Sequence, residues 1–333
     1  MGVYIFFVIS GYLITSMSLR RYHDFGKIRL REFFIFRMSR ILPALLLLVT
    51  VNLLFHFSGK SGFEIPAAVS IRRLLVYVFT FRFNLFYLDG GTTLAAWAVL
   101  WSLAIEEVFY LVFPVISRIL RLEILMCILF ICVFAQGPFY RMDNGWGSLY
   151  LYRGCFDSLA LGCLVATITR HLDRLGQITW LSRLLRLIGL AVIFTFYFAF
   201  SIHESPMVWS WLPTAIPIGA AIFLLGCSSV DHAKTGPGER EKIPLAVWII
   251  CIPGFLSYEL YLFHIPLLLL LKSPLSHLRI LTHGWLPVDV TFAMVMVFMT
   301  LLCGLLHLYF SEPILRYVRR ATEKLVKPRL FPF

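Results

Sequence analysis

Charge is what this sequence has least of. Only 14% of its 333 residues are Asp, Glu, Lys or Arg, against 59% hydrophobic, where a soluble domain carries about 25% charged residues. With a mean hydropathy of +0.83, that scarcity excludes an ordinary water-soluble enzyme, a disordered chain, a collagen and a disulfide-knot scaffold. Cysteine pairing is missing as well. The seven cysteines (Cys127, Cys132, Cys155, Cys163, Cys227, Cys251 and Cys303) include no C-x-x-C, and all fall inside long apolar runs. They read as small core residues, with neither metal-ligand spacing nor a disulfide framework. No H-x-x-x-H, G-x-S-x-G or N-x-S/T sequence occurs. Gly59-Lys60-Ser61 resembles the end of a P-loop, but position 54 is Leu, which removes a nucleotide site of that kind. Internal repeats are not evident, which weakens a transporter built from inverted halves.

Long apolar runs are what the chain has in abundance. Crossing ~30 Å of hydrocarbon at ~1.5 Å per residue takes about 20 apolar residues, with about 17 as a lower limit. Nine runs qualify: Val3 to Leu19, Ile41 to Phe57, Ala98 to Ser117, Leu122 to Phe139, Gly154 to Thr169, Leu187 to His203, Trp211 to Val230, Leu245 to Leu271 and Leu286 to Phe310. A tenth stretch, Leu74 to Leu88, is short and interrupted by Arg82 and Asn84. If it does not cross, the loops on one side hold 22 of the 30 Lys and Arg residues and the other side holds 8. If it does cross, the split becomes 11 against 18 with Arg82 in lipid, contrary to the positive-inside tendency. The expected fold is therefore all-α, a polytopic transmembrane helix bundle of nine spans plus one re-entrant or interfacial segment. The basic loops and the C-terminus are cytoplasmic, and the formal charge of +12 is a topological signal that calls for no nucleic acid.

Nine spans with a cytoplasmic C-terminus put the N-terminus outside. Met1 and Gly2 precede the first span without a charged region, so that span is no signal peptide, and nothing ahead of it explains outward insertion. One additional upstream helix would.

Four patterns fall at consistent places on this map. They are G-V-Y-I-F-F-V-I-S-G-Y-L-I (Gly2 to Ile14) with F-F-I-F-R-M-S-R-I-L-P-A-L (Phe33 to Leu45), W-S-L-A-I-E-E-V-F-Y-L-V-F-P (Trp101 to Pro114), S-Y-E-L-Y-L-F-H-I-P (Ser257 to Pro266) and F-S-E-P-I-L-R (Phe310 to Arg316). Together they closely resemble the acyltransferase-3 family of bacterial integral-membrane proteins, which O-acylate extracytoplasmic sugars. The resemblance covers essentially the whole chain as a single domain, 1–333, with no C-terminal extracytoplasmic domain. The family's first helix, with an arginine and a histidine eleven residues later that is the presumed general base, is expected ahead of Gly2. The chain thus reads as N-terminally truncated relative to the family, with impaired activity expected. Tyr4 stands where the family usually has Asp, and Val108 where it usually has Gln.

The resemblance implies a membrane acyltransferase, in the bacterial inner membrane, moving an acyl group, most simply acetyl, from cytoplasmic acyl-CoA to a hydroxyl of an extracytoplasmic or surface saccharide. Acyl-CoA is then a co-substrate, with no bound cofactor and no metal. Its R-x-x-R pair falls on Arg37 and Arg40 as donor-binding residues. Two guanidiniums three residues apart share a helical face and can grip phosphate bidentately. The alternative reading of the pair is ordinary positive-inside charge with attraction to anionic lipid.

Glu106 and Glu107 lie eight and nine residues into their span, ~13 Å deep, where charge costs several kcal/mol unless it faces a polar cavity or is neutralised. About 100° apart on the helix, they suit different tasks, one chemical and one structural, or both serve as interhelical anchors. Tyr258, Glu259, Tyr261 and His264 share another span. Histidine titrates near neutrality and is the natural general base, although a membrane histidine also serves as a packing residue. The catalytic set is Glu106, Glu107, His264 and Tyr258. The acceptor-binding set is Trp101, Asn84 and Tyr110, because aromatic faces suit sugar rings, though Trp also anchors helices at interfaces. Arg153 and Asp157, at i and i+4, are expected to pair structurally. The rival reading is a transporter or flippase of a glycolipid or acyl intermediate, with the intramembrane carboxylates as coupling groups.

Overall fold

The computed structural model describes residues 2–87, 89, 94–144, 146–172, 179–200, 206–228, 251–281 and 288–325. Among them every regular element is helical. In chain order these are α1 (Gly2–Tyr22), α2 (Leu30–Phe57), α3 (Ile71–Phe79), the single turn α4 (Phe83–Phe86), α5 (Leu100–Ile119), α6 (Leu122–Ile131), α7 (Gly137–Asn144), α8 (Tyr152–Leu172), α9 (Thr179–Phe200), α10 (Pro206–Ser228), α11 (Ser257–Leu281), α12 (Val288–Leu306) and α13 (Glu312–Leu325). Two π-helical turns, Cys132–Gln136 and His307–Ser311, join α6 to α7 and α12 to α13. Seven stretches of the described residues are long and apolar enough to cross a membrane: Gly2–Tyr22, Leu30–Phe57, Ala95–Ile119, Leu122–Asn144, Trp180–Phe198, Ser210–Cys227 and Asp289–Ala321.

The difference from nine has two sources. The expected span Gly154 to Thr169 is the helix α8, 21 residues long but made less apolar by Arg153, Asp157 and Arg170. The expected span Leu245 to Leu271 lies partly outside the described residues, its remainder forming the start of α11. The segment Leu74 to Leu88 forms α3 and α4; nine residues of helix reach only ~13 Å, short of the ~30 Å core. Helix α2 starts earlier than its apolar run. Its 28 residues extend ~42 Å and carry Arg31, Arg37 and Arg40 on the helix itself. Pro43, Pro114, Pro213, Pro217 and Pro266 sit inside long helices, as is tolerated where neighbouring groups satisfy the freed carbonyls.

The chain forms two compact units. The first comprises Met1–Ile28, Tyr77–Asp89 and Trp101–Glu241. Its centre is the contact of α1 with α8, and α9 pairs with α10. The α1–α8 crossing depends on glycine. A Cβ on Gly11 would intrude on the carbonyl of Leu159, and one on Gly162 on the carbonyl of Val8, so the backbones meet as they do where small residues line membrane helix interfaces. Helices α1, α5 and α8 are parallel. Along α1 and α5, Phe7 meets Trp101, Ser10 meets Glu106, and Phe25 meets Phe113. Along α1 and α8, the Tyr4 hydroxyl donates to the Leu149 carbonyl just ahead of α8, while Arg170 near its end donates to the His23 carbonyl.

This gives the unit two unlike ends. At one lie Arg20, Arg21, Arg118 and Arg170, all exposed, with Arg118 donating to the Ile28 carbonyl at 3.0 Å. At the other lie Tyr4, Trp101 and Tyr150.

The second unit comprises Arg29–Val76, Gly90–Leu100 and Lys242–Phe333. In it α2 packs against α11 and α13, and α11 against α12 and the turn Ala95–Trp97. Asn52, fully buried, donates to the Ala96 carbonyl at 3.0 Å, and Tyr258 donates its hydroxyl to the Ile41 carbonyl at 3.0 Å.

Of the seven cysteines, none disulfide-bonded, Cys155, Cys163 and Cys303 are buried. Cys127 and Cys251 are exposed on helix surfaces, outside the core expected for them.

Candidate functional site

The expected site residues divide between the units: Asn84, Trp101, Glu106, Glu107 and Tyr110 in the first, Arg37, Arg40, Tyr258 and His264 in the second.

In the first unit, α5 enters at Trp101 and brings Glu106 and Glu107 into the interior two turns later. Both are buried, Glu107 completely. Glu106 accepts a hydrogen bond from the Ser10 hydroxyl at 2.9 Å, and Ser10 is placed by the tight Gly11–Leu159 contact beside it. A hydroxyl on a buried carboxylate is a pairing from which a proton can be taken or held. Ser10 lay within a quoted motif but carried no signal of its own. A serine among apolar residues says nothing of which helix it faces.

The acceptor residues Trp101 and Asn84 converge on Tyr150. The Trp101 ring lies 4.9 Å from the Tyr150 ring, and the Asn84 side-chain amide donates to the Tyr150 carbonyl at 3.1 Å. Asn84 is fully buried, so it supports Tyr150 rather than presenting its own amide. Tyr110 is nine residues beyond Trp101, ~13 Å along α5, and buried. Tyr87 stands 6.3 Å from Tyr150. Burial, with Tyr150 as the lesser cause, pushes the Tyr87 phenol above its ordinary value, and it remains a hydroxyl donor.

The expected pairing of Arg153 with Asp157 is not what forms. Asp157 pairs with Arg141 at 2.8 Å, while Arg153 is exposed and lies over the Tyr140 ring. Arg141 is one of the eight basic residues that the charge split puts on the outer side, yet only 2% of it is exposed. It also donates to the carbonyls of Ser210 and Gly154 and to the Thr214 hydroxyl, and Thr214 donates to Asp157 at 2.6 Å. An i, i+4 partner at the end of α8 would leave the carboxylate half solvated. A guanidinium from α7 joins α7, α8 and α10 and satisfies backbone acceptors as well. Gly137, opening α7, permits the approach, because a Cβ there would lie 2.7 Å from an Asp157 oxygen.

In the second unit, Arg37 is half-buried and Arg40 exposed on α2, one turn before Ile41. The Tyr258 hydroxyl is engaged at Ile41, so it ties α11 to α2 next to the arginine pair. His264 Nδ1 lies 2.6 Å from the Tyr261 carbonyl, which fixes the ring and leaves Nε2 as the nitrogen available for chemistry. Glu259, buried, meets His307 at 2.9 Å. His307 stands 3.9 Å from Glu312, which pairs with Arg316 at 3.3 Å. His307 went unnoticed in the sequence because it opens a π-helical turn, a register change that often marks functional positions and that apolar periodicity does not reveal.

Long apolar helices that bury Glu106, Glu107, Arg141 and Asp157 in one unit and Glu259 in the other define a polytopic membrane protein. The chain belongs to the acyltransferase-3 family, whose acyltransferase domain matches residues 1–308. It is 28% identical over 292 residues to the O-acetyltransferase OatA of Staphylococcus aureus strain NCTC 8325 / PS 47, covering 82% of this chain and 46% of the relative. The OatA of strain MRSA252 matches equally. A further protein of S. aureus strain COL, named provisionally as an O-acetyltransferase, is 41% identical over 127 residues, 37% of this chain and 21% of the relative. The chain therefore spans less than half the length of these curated relatives. No solved structure matches.

Proposed function

We propose that the chain transfers an acetyl group from acetyl-CoA on the cytoplasmic side of a membrane, the bacterial inner membrane, to a saccharide hydroxyl on the other side. The observation that carries this is the buried Glu106, hydrogen-bonded by Ser10 and adjacent to the fully buried Glu107, on α5 of a family member. Burying two carboxylates costs several kcal/mol by insertion scales, and acid–base work on a hydroxyl is a use for which that cost is repaid.

In this reading the acceptor oxygen attacks the thioester carbonyl, its proton passes to a carboxylate of the Glu106–Glu107 pair, the carbon–sulfur bond breaks, and coenzyme A leaves as the thiol after taking up a proton. Arg37 and Arg40 hold the phosphates of the donor. His264, with Nδ1 fixed, orients or deprotonates a reactant, and Tyr258 acts as a positioning residue through Ile41. Trp101 receives the acceptor, and Asn84 positions Tyr150.

The test is transfer of radiolabelled acetyl from acetyl-CoA to saccharide by the protein in nanodiscs. Glu106→Gln and Glu107→Gln are expected to separate, with the variant that removes the base slowing transfer about 10²–10⁴-fold. Arg37→Ala/Arg40→Ala is expected to raise the KM for acetyl-CoA. Proton-coupled solute movement with no acetylated product would refute the reading.

A further inference from the structure

The end of the first unit that bears no arginine cluster is built from aromatic rings in continuous contact. Phe7 meets Trp101 at 6.3 Å, Trp101 meets Tyr150 at 4.9 Å, and Tyr150 meets Tyr87 at 6.3 Å. Helix anchoring at an interface needs rings that are free to face lipid. Here the backbone beneath them is pinned. The Leu149 carbonyl accepts from Tyr4 and Cys155, the Tyr150 carbonyl accepts from Asn84, and the Tyr152 hydroxyl donates to the Phe81 carbonyl. Tyr150 is nonetheless 41% exposed, and Trp101 and Tyr87 are half-buried. Rigidly held rings with partly open faces, beside a phenol that stays protonated, match a ligand that offers both an apolar face and hydroxyl groups. Arg82 and Asp89, exposed in the same segment, add polar partners. The opposite end carries Arg20, Arg21, Arg118 and Arg170, so by the positive-inside tendency the aromatic end faces away from the cytoplasm.

We propose, on the acyl-transfer reading above, that Tyr87 and Tyr150 together with Trp101 form the acceptor platform, on which a pyranose ring of the saccharide stacks by its C–H face. The site takes a cyclic sugar and discriminates against acyclic polyols, which offer hydroxyls without a ring face.

The test uses the full chain in nanodiscs and chitotetraose, a neutral pyranose oligosaccharide, with sorbitol as the acyclic comparison. Binding of fluorescent chitotetraose is measured without acetyl-CoA, and acetyl transfer is measured separately. Tyr150→Ala is expected to weaken binding and raise the KM for chitotetraose about tenfold, with the KM for acetyl-CoA unchanged. Tyr150→Phe, which keeps the ring, is expected to stay within about twofold of the unsubstituted protein. Platform and transfer fail distinguishably. Tyr150-dependent binding without acetyl transfer supports the platform and refutes the reaction. Transfer with binding that Tyr150→Ala leaves intact, or Tyr150→Phe as impaired as Tyr150→Ala, overturns the platform and leaves the reaction standing. Absence of any chitotetraose binding overturns it also, as does sorbitol competing equally.

Discussion

Replacing Arg141 with Met tests how this chain holds charge inside an apolar bundle. The guanidinium bonds Asp157, Thr214 and the carbonyls of Ser210 and Gly154, so its loss leaves a buried carboxylate held only by Thr214, the Ser158 amide and the Ser158 hydroxyl. Breaking one partner of a buried ion pair costs about 3–5 kcal/mol. The lower figure alone is roughly a hundredfold in the unfolding constant, since about 1.4 kcal/mol is a factor of ten. Asp157→Leu strands the guanidinium and is expected to cost as much. Removing both charges together, in Arg141→Met/Asp157→Leu, fills similar volume without a buried ion and should recover most of the loss. The assay is SDS or thermal unfolding in mild detergent, analysed as a double-mutant cycle. Single variants within about 1 kcal/mol of the unsubstituted protein, or a double variant as unstable as the sum of the singles, would refute the assignment of this pair as the staple of α7, α8 and α10.

Two further outcomes follow from the same geometry. Gly162→Ala presses a methyl group against the backbone of α1, which has no side chain to move aside, so an overpacking loss of about 1–3 kcal/mol is expected; thermal unfolding checks it, and acetyl transfer should fall with it because Ser10 moves relative to Glu106. His307→Ala removes the imidazole facing the buried Glu259 carboxylate and should destabilise the chain by about 1–3 kcal/mol, whereas His307→Ala/Glu259→Leu should unfold at a higher temperature than His307→Ala alone.

Apolar periodicity made the helical, membrane-embedded character of the chain legible, because burying backbone in lipid leaves helices as the only solution for runs of that length and composition. It also singled out Asn84, Glu106 and Glu107 as residues out of place in apolar surroundings. What it left out is partnership. Arg141 reads as one more loop arginine because its carboxylate lies sixteen residues away on the next long helix, α8, and hydropathy does not show which helices meet. Ser10 and His307 were unremarkable until α5 and α11 were placed beside them. Boundaries erred where charge and helix coincide. Arg31, Arg37 and Arg40 lie on α2, not in a loop, since a helix can run out of the hydrocarbon into water without ending.

The buried polar groups differ in how fully they are engaged, and that difference separates structure from chemistry. From α7, Arg141 makes four hydrogen bonds to α8 and α10 with almost no exposed surface, so any proton or substrate exchange there would break the bundle, and its role is to hold. Glu259 contacts His307, whose side chain keeps 32% of its surface open. Glu106 on α5 accepts a hydrogen bond from Ser10 on α1, a helix also held to α8 by the glycine crossing. Double-mutant cycles of such contacts in membranes average ~0.6 kcal/mol, too little to justify burying a carboxylate for stability when Thr or Asn could make the same bond. On the proposed reaction, Glu106→Gln should leave the unfolding temperature nearly unchanged while altering transfer.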